Sequence, residues 1–270
     1  MTSLEACVLG IVQGVTEFLP ISSTAHLRIV PALLGWGDAG AAFTAVLQLG
    51  SLVAVLGYFL PDLLRMLRAT GAALTDRSRP PEPPARQLGY LIVGTIPVGV
   101  AGVLLKHQIE GSLRSLWVIA SALIVVAVAL AWVERTARRT RDFDDIGLRD
   151  AVIVGCAQAL ALVPGVSRSG ITLLAALVLG FRREASARFS FLLSVPAVAA
   201  AGIFELPKVL RAHDIGGGPL AIGLIAAAVS GYASIAWLLR FLRVRSTMPF
   251  VVYRIALGVL LLVLLSTGRL

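Results

Sequence analysis

Residues 150–181 read DAVIVGCAQALALVPGVSRSGITLLAALVLGF. The stretch is apolar and long enough to cross a bilayer, which takes about 20 residues. Its middle is interrupted by Pro164-Gly165 and by Ser167-Arg168-Ser169-Gly170. Non-helical backbone at membrane depth survives only where protein or a wet cavity satisfies it. The pattern therefore predicts two half-helices, a re-entrant hairpin rather than a span. Residues 4–30, LEACVLGIVQGVTEFLPISSTAHLRIV, carry the same design, broken at Pro20 and Ser22-Ser23-Thr24. Aligning each residue with the one 145 positions later pairs Glu5 with Asp150, Ala6 with Ala151, Gly10 with Gly155, Gln13 with Gln158 and Ser22 with Ser167.

The rest of the chain reads as six spans, near 40–60, 88–106, 115–133, 189–206, 218–239 and 248–267. The segments between them, 70–87 with its four prolines among them, read as polar connections. Of the 270 residues, 57% are hydrophobic and 14% charged, and the mean hydropathy is +0.88. A soluble domain carries about 45–50% apolar and about 25% charged residues, so this composition argues against a soluble protein and against disorder. The expected fold class is an all-α polytopic membrane protein. It would be a single membrane domain of two repeats, about 1–135 and about 146–270, each with one hairpin and three spans. An odd number of spans per repeat inverts the second repeat, and in such architectures the site lies at the repeat interface near the midplane. The two cysteines, Cys7 and Cys156, have no metal-ligand spacing, and the start of the chain does not resemble a cleavable signal.

A net charge of +9 would suggest nucleic acid in a soluble protein. Here sixteen of the 24 basic residues fall in loops 61–87, 134–150, 182–188 and 240–246, against six in the opposite set, Arg28, Lys106, Arg114, Lys208, Arg211 and Arg269. The positive-inside rule accounts for that asymmetry. It predicts both termini outside, the first hairpin entering from outside and the second from inside, and no nucleic-acid partner.

Two polar clusters carry the chemistry. In the first, Gln13 and Glu17 share a helix face at i,i+4, Pro20 suits a break, and Ser22, Ser23 and Thr24 suit the cap of a second half-helix. Ser23 and His26, at i,i+3, could cooperate as an activated nucleophile. A capped break with a satisfied core histidine is the bland alternative. Ionisable residues inside a membrane segment are costly and default to function, which favours the chemical reading of Glu17 and His26. In the second cluster, Gly165 and Gly170 leave room for backbone N–H groups to face a ligand. Arg168 adds a guanidinium suited to phosphate oxygens, and Ser167, Ser169 and Thr172 add hydroxyls. The alternative there is a kink with Arg168 snorkelling, weakened because Arg168 lies about eight residues inside its apolar segment on either side. Together the clusters suit a phosphate-bearing lipid. Of the remaining polar residues, His107, His213 and Asp214 read as interface or turn residues, Thr95-Ile96-Pro97 as a kink, and Arg254 as a residue that pairs or snorkels.

Taken whole, Gln13-Gly14-Val15-Thr16-Glu17-Phe18-Leu19-Pro20-Ile21-Ser22-Ser23-Thr24-Ala25-His26 and Pro164-Gly165-Val166-Ser167-Arg168-Ser169-Gly170-Ile171-Thr172 resemble the two motifs of the undecaprenyl-diphosphate phosphatases of the bacitracin-resistance, BacA-type family. The resemblance covers nearly the whole chain. It implies a bacterial plasma-membrane enzyme that hydrolyses undecaprenyl diphosphate to undecaprenyl phosphate and phosphate. Such an enzyme recycles the lipid carrier of peptidoglycan synthesis and confers bacitracin resistance. The resemblance also implies a site open to the outer face and help from a divalent cation, Mg2+ or Ca2+. Position 13 is Gln where many members have Glu, and position 25 is Ala where Gly is common.

The roles expected on this basis are as follows. Arg168 grips the diphosphate, with Gly165 and the backbone around Ser167 to Gly170. Ser167, Ser169 and Thr172 bond phosphate oxygens, and Gln13, Ser22 and Thr24 line the site. Ser23 attacks phosphorus or positions water. His26 takes the proton or is itself the nucleophile. Glu17 orients His26 or holds the cation. Polyprenyl diphosphate and membrane lipid are the expected partners, and self-association into a homodimer stays open. The rival class is an inverted-repeat transporter or flippase of a phosphorylated lipid.

Overall fold

The computed structural model describes residues 1–76, 78, 82–212 and 216–268. His213, Asp214, Arg269, Pro80 and Pro81 lie outside the described residues. Among those described the chain is helical and forms no strand, only an isolated bridge between Arg141 and Phe181.

The first broken segment forms α1 (Ser3–Phe18) and α2 (Ser23–Leu34). Thr2 and Glu5 start α1 with a reciprocal capping box, Thr2 Oγ1 accepting from the Glu5 N–H and Glu5 Oε2 from the Thr2 N–H. The helix stops two residues before Pro20, because the residue preceding proline is driven out of the helical region. Then come α3 (Gly40–Tyr58) and α4 (Leu60–Thr75), bent by 74° at Phe59. The helical form of α4 departs from the expected polar loop. Pro61 at its start and Asp62 in its first turn make a good helix N-terminus, and no proline follows until position 80.

Next are α5 (Pro83–Leu104), the short α6 (Lys106–Glu110) and α7 (Leu116–Thr136). The kink expected at Pro97 does not end α5. Thr95 donates to Leu91 O at 2.7 Å and the helix continues. The second broken segment forms α8 (Leu148–Ala159) and α9 (Arg168–Val178). The chain finishes with α10 (Arg183–Ala212), α11 (Gly217–Val244) and α12 (Met248–Ser266). α10 begins six residues before the span expected there and runs through Pro196 and Pro207. Among the described residues five helices, α5, α7, α10, α11 and α12, are long and apolar enough to cross a membrane, and the bent α3/α4 pair makes a sixth if it is one span. Val103, Val125, Val229 and Val244 are at least 66% exposed. An apolar outer surface of that kind is what lipid solvates.

Helix α1 lies along α11, and α8 along α5. Both contacts need glycine. A Cβ on Gly10 would stand 2.3 Å from Gly223 O, and one on Gly155 would stand 2.2 Å from Gly94 O. α3 pairs with α10 and α7 with α12. The four basic loops meet at one end of the bundle. Arg188 pairs with Asp62, Arg182 with Asp142, Arg243 with Glu184, and both Arg139 and Arg183 with Glu134.

Candidate active site

The two breaks have the same backbone. Ser22 and Ser167 cap α2 and α9 with φ of 75° and 74°, a left-handed conformation that costs a non-glycine residue about 1–3 kcal/mol. Each offers its hydroxyl to an N–H three residues on, Ser22 Oγ to Ala25 at 3.4 Å and Ser167 Oγ to Gly170 at 3.1 Å. Capping by the side chain offsets part of the strain. The conformation turns the next residue toward Glu17, Ser23 from within the same hairpin and Arg168 from the opposite one.

The two hairpins meet at Glu17. Its Oε2 accepts from Ser23 Oγ at 2.6 Å and from Gln13 Nε2 at 2.8 Å, and its Oε1 accepts from Arg168 Nη2 at 3.0 Å. Glu17 is 5% exposed and Gln13 is fully buried, so the Glu17–Arg168 pair is shielded from water. Arg168 Nη1 also donates to Ser190 O at 3.1 Å, while its Nε is buried without a partner. Thr172 Oγ1 lies 2.6 Å from Ser190 Oγ and donates to Arg168 O. Ser169 donates to Leu19 O at 3.0 Å, a second tie between the hairpins, and its hydroxyl is 3.2 Å from that of Ser167.

Ser23 and His26 do not pair with each other. Ser23 turns to Glu17, and both ring nitrogens of His26 are taken elsewhere. Nδ1 is 2.7 Å from Ser22 O, which can only accept, so Nδ1 carries the proton. In the neutral ring Nε2 then accepts from Tyr253 Oη on α12, at 2.6 Å. Nor does Glu17 contact His26 in place of these partners. Thr24 faces a small separate cavity beside Arg28 and Arg114. The donor set does not fit a resident divalent cation on Glu17. Both carboxylate oxygens already accept from donors, and among the described residues no three His, Cys, Asp or Glu side chains converge. Gln13 Oε1 is the site oxygen left buried without a partner.

Arg254 holds the breaks in place. It is fully buried in α12 and faces no carboxylate. Its guanidinium donates instead to Pro20 O at 3.0 Å in the first break and to Gly165 O and Val166 O at 2.9 and 3.1 Å in the second. It also reaches Leu123 O at 3.2 Å and Ala122 O at 3.4 Å on α7. These are carbonyls that the two breaks and the neighbouring helix expose, and one planar donor serves them all. Gly165, at φ 95°, lies so close to α7 that a Cβ would stand 2.5 Å from Ile119 O. Sequence reasoning left Arg254 as a snorkelling or paired residue and passed over Tyr253. A lone arginine ringed by apolar residues was the available signal, since such residues are rarely idle.

The arrangement offers a hydroxyl on a carboxylate, a guanidinium beside it and two half-helix N-termini, all at one junction. The comparisons with known proteins point the same way. Undecaprenyl-diphosphatase of Myxococcus xanthus (strain DK1622) is 54% identical over 271 residues, covering 100% of this chain and 91% of its own. The protein of that name from Gloeobacter violaceus (strain ATCC 29082 / PCC 7421) is 54% identical, covering 98% and 93%. Undecaprenyl-diphosphatase 2 of Streptomyces coelicolor (strain ATCC BAA-471 / A3(2) / M145) is 47% identical, covering 99% and 96%. The family model described as bacitracin resistance protein BacA matches residues 6–260, a range that takes in both hairpins and Arg254, and the chain belongs to that family.

Proposed function

We infer that this protein is a multi-pass membrane phosphatase that hydrolyses undecaprenyl diphosphate to undecaprenyl phosphate and inorganic phosphate, returning the carrier lipid to peptidoglycan synthesis. The observation that carries the chemistry is Glu17, bonded to Ser23 at 2.6 Å on one side and to Arg168 at 3.0 Å on the other. Ser23 Oγ forms a bond to the terminal phosphorus as its proton passes to Glu17. The bridging P–O bond breaks, and undecaprenyl phosphate leaves with the proton that Glu17 received, which restores the Glu17 carboxylate. Water then attacks the phosphoserine as Glu17 takes its proton, the Ser23 Oγ–P bond breaks, and Glu17 returns that proton to Ser23 Oγ as phosphate leaves. Arg168 stabilises charge on the transferred group, its free Nε supplying a donor, and the first N–H groups of α2 and α9 add their positive ends. His26 and Arg254 hold the hairpins in register.

The repeat division, about 1–135 and about 146–270, is supported by exchanged packing. α1 of one half lies on α11 of the other, and α8 lies on α5. The basic loops gathered at one end support a cytoplasmic placement of that end, with both termini and the opening of the site on the outer side.

The deciding experiment is phosphate release from undecaprenyl diphosphate by the purified protein in detergent. Wild type releases phosphate, and Arg168→Ala loses at least about 10²–10³-fold in kcat, the cost of removing an oxyanion donor. No release by wild type, with lipid transfer between leaflets of vesicles, would make it a carrier instead.

A further inference from the structure

A second cluster of charge lies at the end of the bundle opposite the basic loops. Asp38, in the connection between α2 and α3, accepts from Arg114 Nη2 at 3.3 and 3.1 Å and lies 3.1 Å from Arg28 Nη1. One carboxylate faces two guanidiniums, which leaves a net positive charge. Arg28 Nε is in addition buried without a partner. A cavity of about 10 Å³, room for a single water, lies against both arginines and against Thr24, Thr44 and Pro164. Thr24 follows Ser23 in the first turn of α2, and Pro164 belongs to the break before α9. The cavity therefore adjoins both hairpin breaks.

We propose that Arg28 and Arg114 form an outer anion site that takes a phosphate group in exchange for the Asp38 carboxylate, staging it between the outer surface and the Glu17–Arg168 junction. The proposal rests on the phosphatase reading, because it supplies that site with a route for its substrate headgroup or its product.

Three observations carry it. Guanidinium forks match phosphate oxygens in pairs, and a phosphate carries more charge and more acceptors than the carboxylate it displaces. The displaced group is free to swing. Asp38 follows Gly35-Trp36-Gly37, and a Cβ on Gly35, Gly37 or Gly40 would meet nothing within 4 Å. Asp38 is also held in its charged form. Burial disfavours that form, but the Gly40 N–H, Arg114 and Arg28 outweigh burial and keep its carboxyl below the ordinary value. The carboxylate is thus a resident anion standing where another anion can bind.

The test is equilibrium binding of inorganic phosphate to the full chain in detergent, in the Arg168→Ala background, where the inner guanidinium is gone. Saturable binding is expected. It should weaken about tenfold or more with Arg28→Gln plus Arg114→Gln, which remove charge-assisted bonds, and tighten several-fold with Asp38→Asn, which removes the competing anion. Absence of saturable binding, or binding indifferent to Asp38→Asn, overturns the site, and the second reading survives a misfolded double arginine variant. This assay needs no turnover, so it stands apart from the phosphate-release test of the function. Steady-state kinetics with Arg168 restored then separate the two sources of phosphate. A raised KM for the lipid diphosphate in the double variant assigns the site to the incoming headgroup. A raised inhibition constant for inorganic phosphate with unchanged KM assigns it to the departing product. Absence of both changes overturns the staging role.

Discussion

At the scale of single residues the chemistry turns on which acceptor Ser23 finds. Its spacing to His26 suggested one pair, and the fold makes another, because the left-handed cap at Ser22 aims Ser23 back at α1. Ser23→Ala should therefore lower kcat about 10²–10⁴-fold, the range for losing a positioned proton-transfer pair, and no phosphoryl-enzyme should be trapped in it. His26→Asn, which keeps a donor for Ser22 O, should cost less than Ser23→Ala in the same phosphate-release assay. A larger loss in His26→Asn would return the histidine to the reacting centre. Gln13→Glu supplies a further test. It sets a second carboxylate against Glu17 Oε2, where Gln13 now donates at 2.8 Å. Like charges so close favour a shared cation. The variant should accordingly lose more of its turnover to EDTA, and regain more on added Mg2+ or Ca2+, than the wild type does.

At the scale of elements, the two broken helices depend on Arg254. Replacing it leaves carbonyls of Pro20, Gly165 and Val166 buried without their donor, at about 1–3 kcal/mol each. Arg254→Lys keeps the charge but not the planar fork. It should lower the thermal midpoint in detergent and reduce kcat while moving KM little, since the half-helix ends shift relative to one another. A kcat equal to that of wild type would show that the breaks hold themselves. Helix contacts give an independent case. Gly155→Val would drive a side chain into Gly94 O and separate α8 from α5, whereas Gly99→Ala enters open space and should be neutral in the same melting experiment.

The same elements show what a linear reading can see. Both breaks were legible because proline, glycine and runs of serine are local signals, and the six apolar segments because span length is local too. The helical form of α4 was not. Asp62, Arg65 and Arg68 give it the composition of a loop, and its place is set by the Asp62 contact to Arg188, 126 residues on. The members of the site could be named from the two motifs. Their pairing could not, because Arg168 is 151 residues from Glu17 and Tyr253 is 227 from His26.

At the scale of the whole molecule the two hairpins are alike in backbone and unlike in chemistry. At the offset of 145, Ser23 of the first stands where Arg168 stands in the second, and Glu17 where the second has Leu162. One hairpin brings the hydroxyl and its carboxylate, the other the guanidinium. The inverted-repeat reading has them approach the junction from opposite faces of the membrane, a topology that can be measured. The loops tied by Arg182–Asp142, Arg188–Asp62 and Arg243–Glu184 gather at one end, and the Asp38–Arg114 pair lies at the other. The positive-inside rule predicts a cytoplasmic first end. With Cys7 and Cys156 replaced, a cysteine at position 37 should react with a membrane-impermeant maleimide in intact cells, as should one at position 267. A cysteine at position 142 or 184 should react only after the membrane is opened. Labelling of position 142 from outside would reverse the chain and move the opening of the site to the cytoplasmic face.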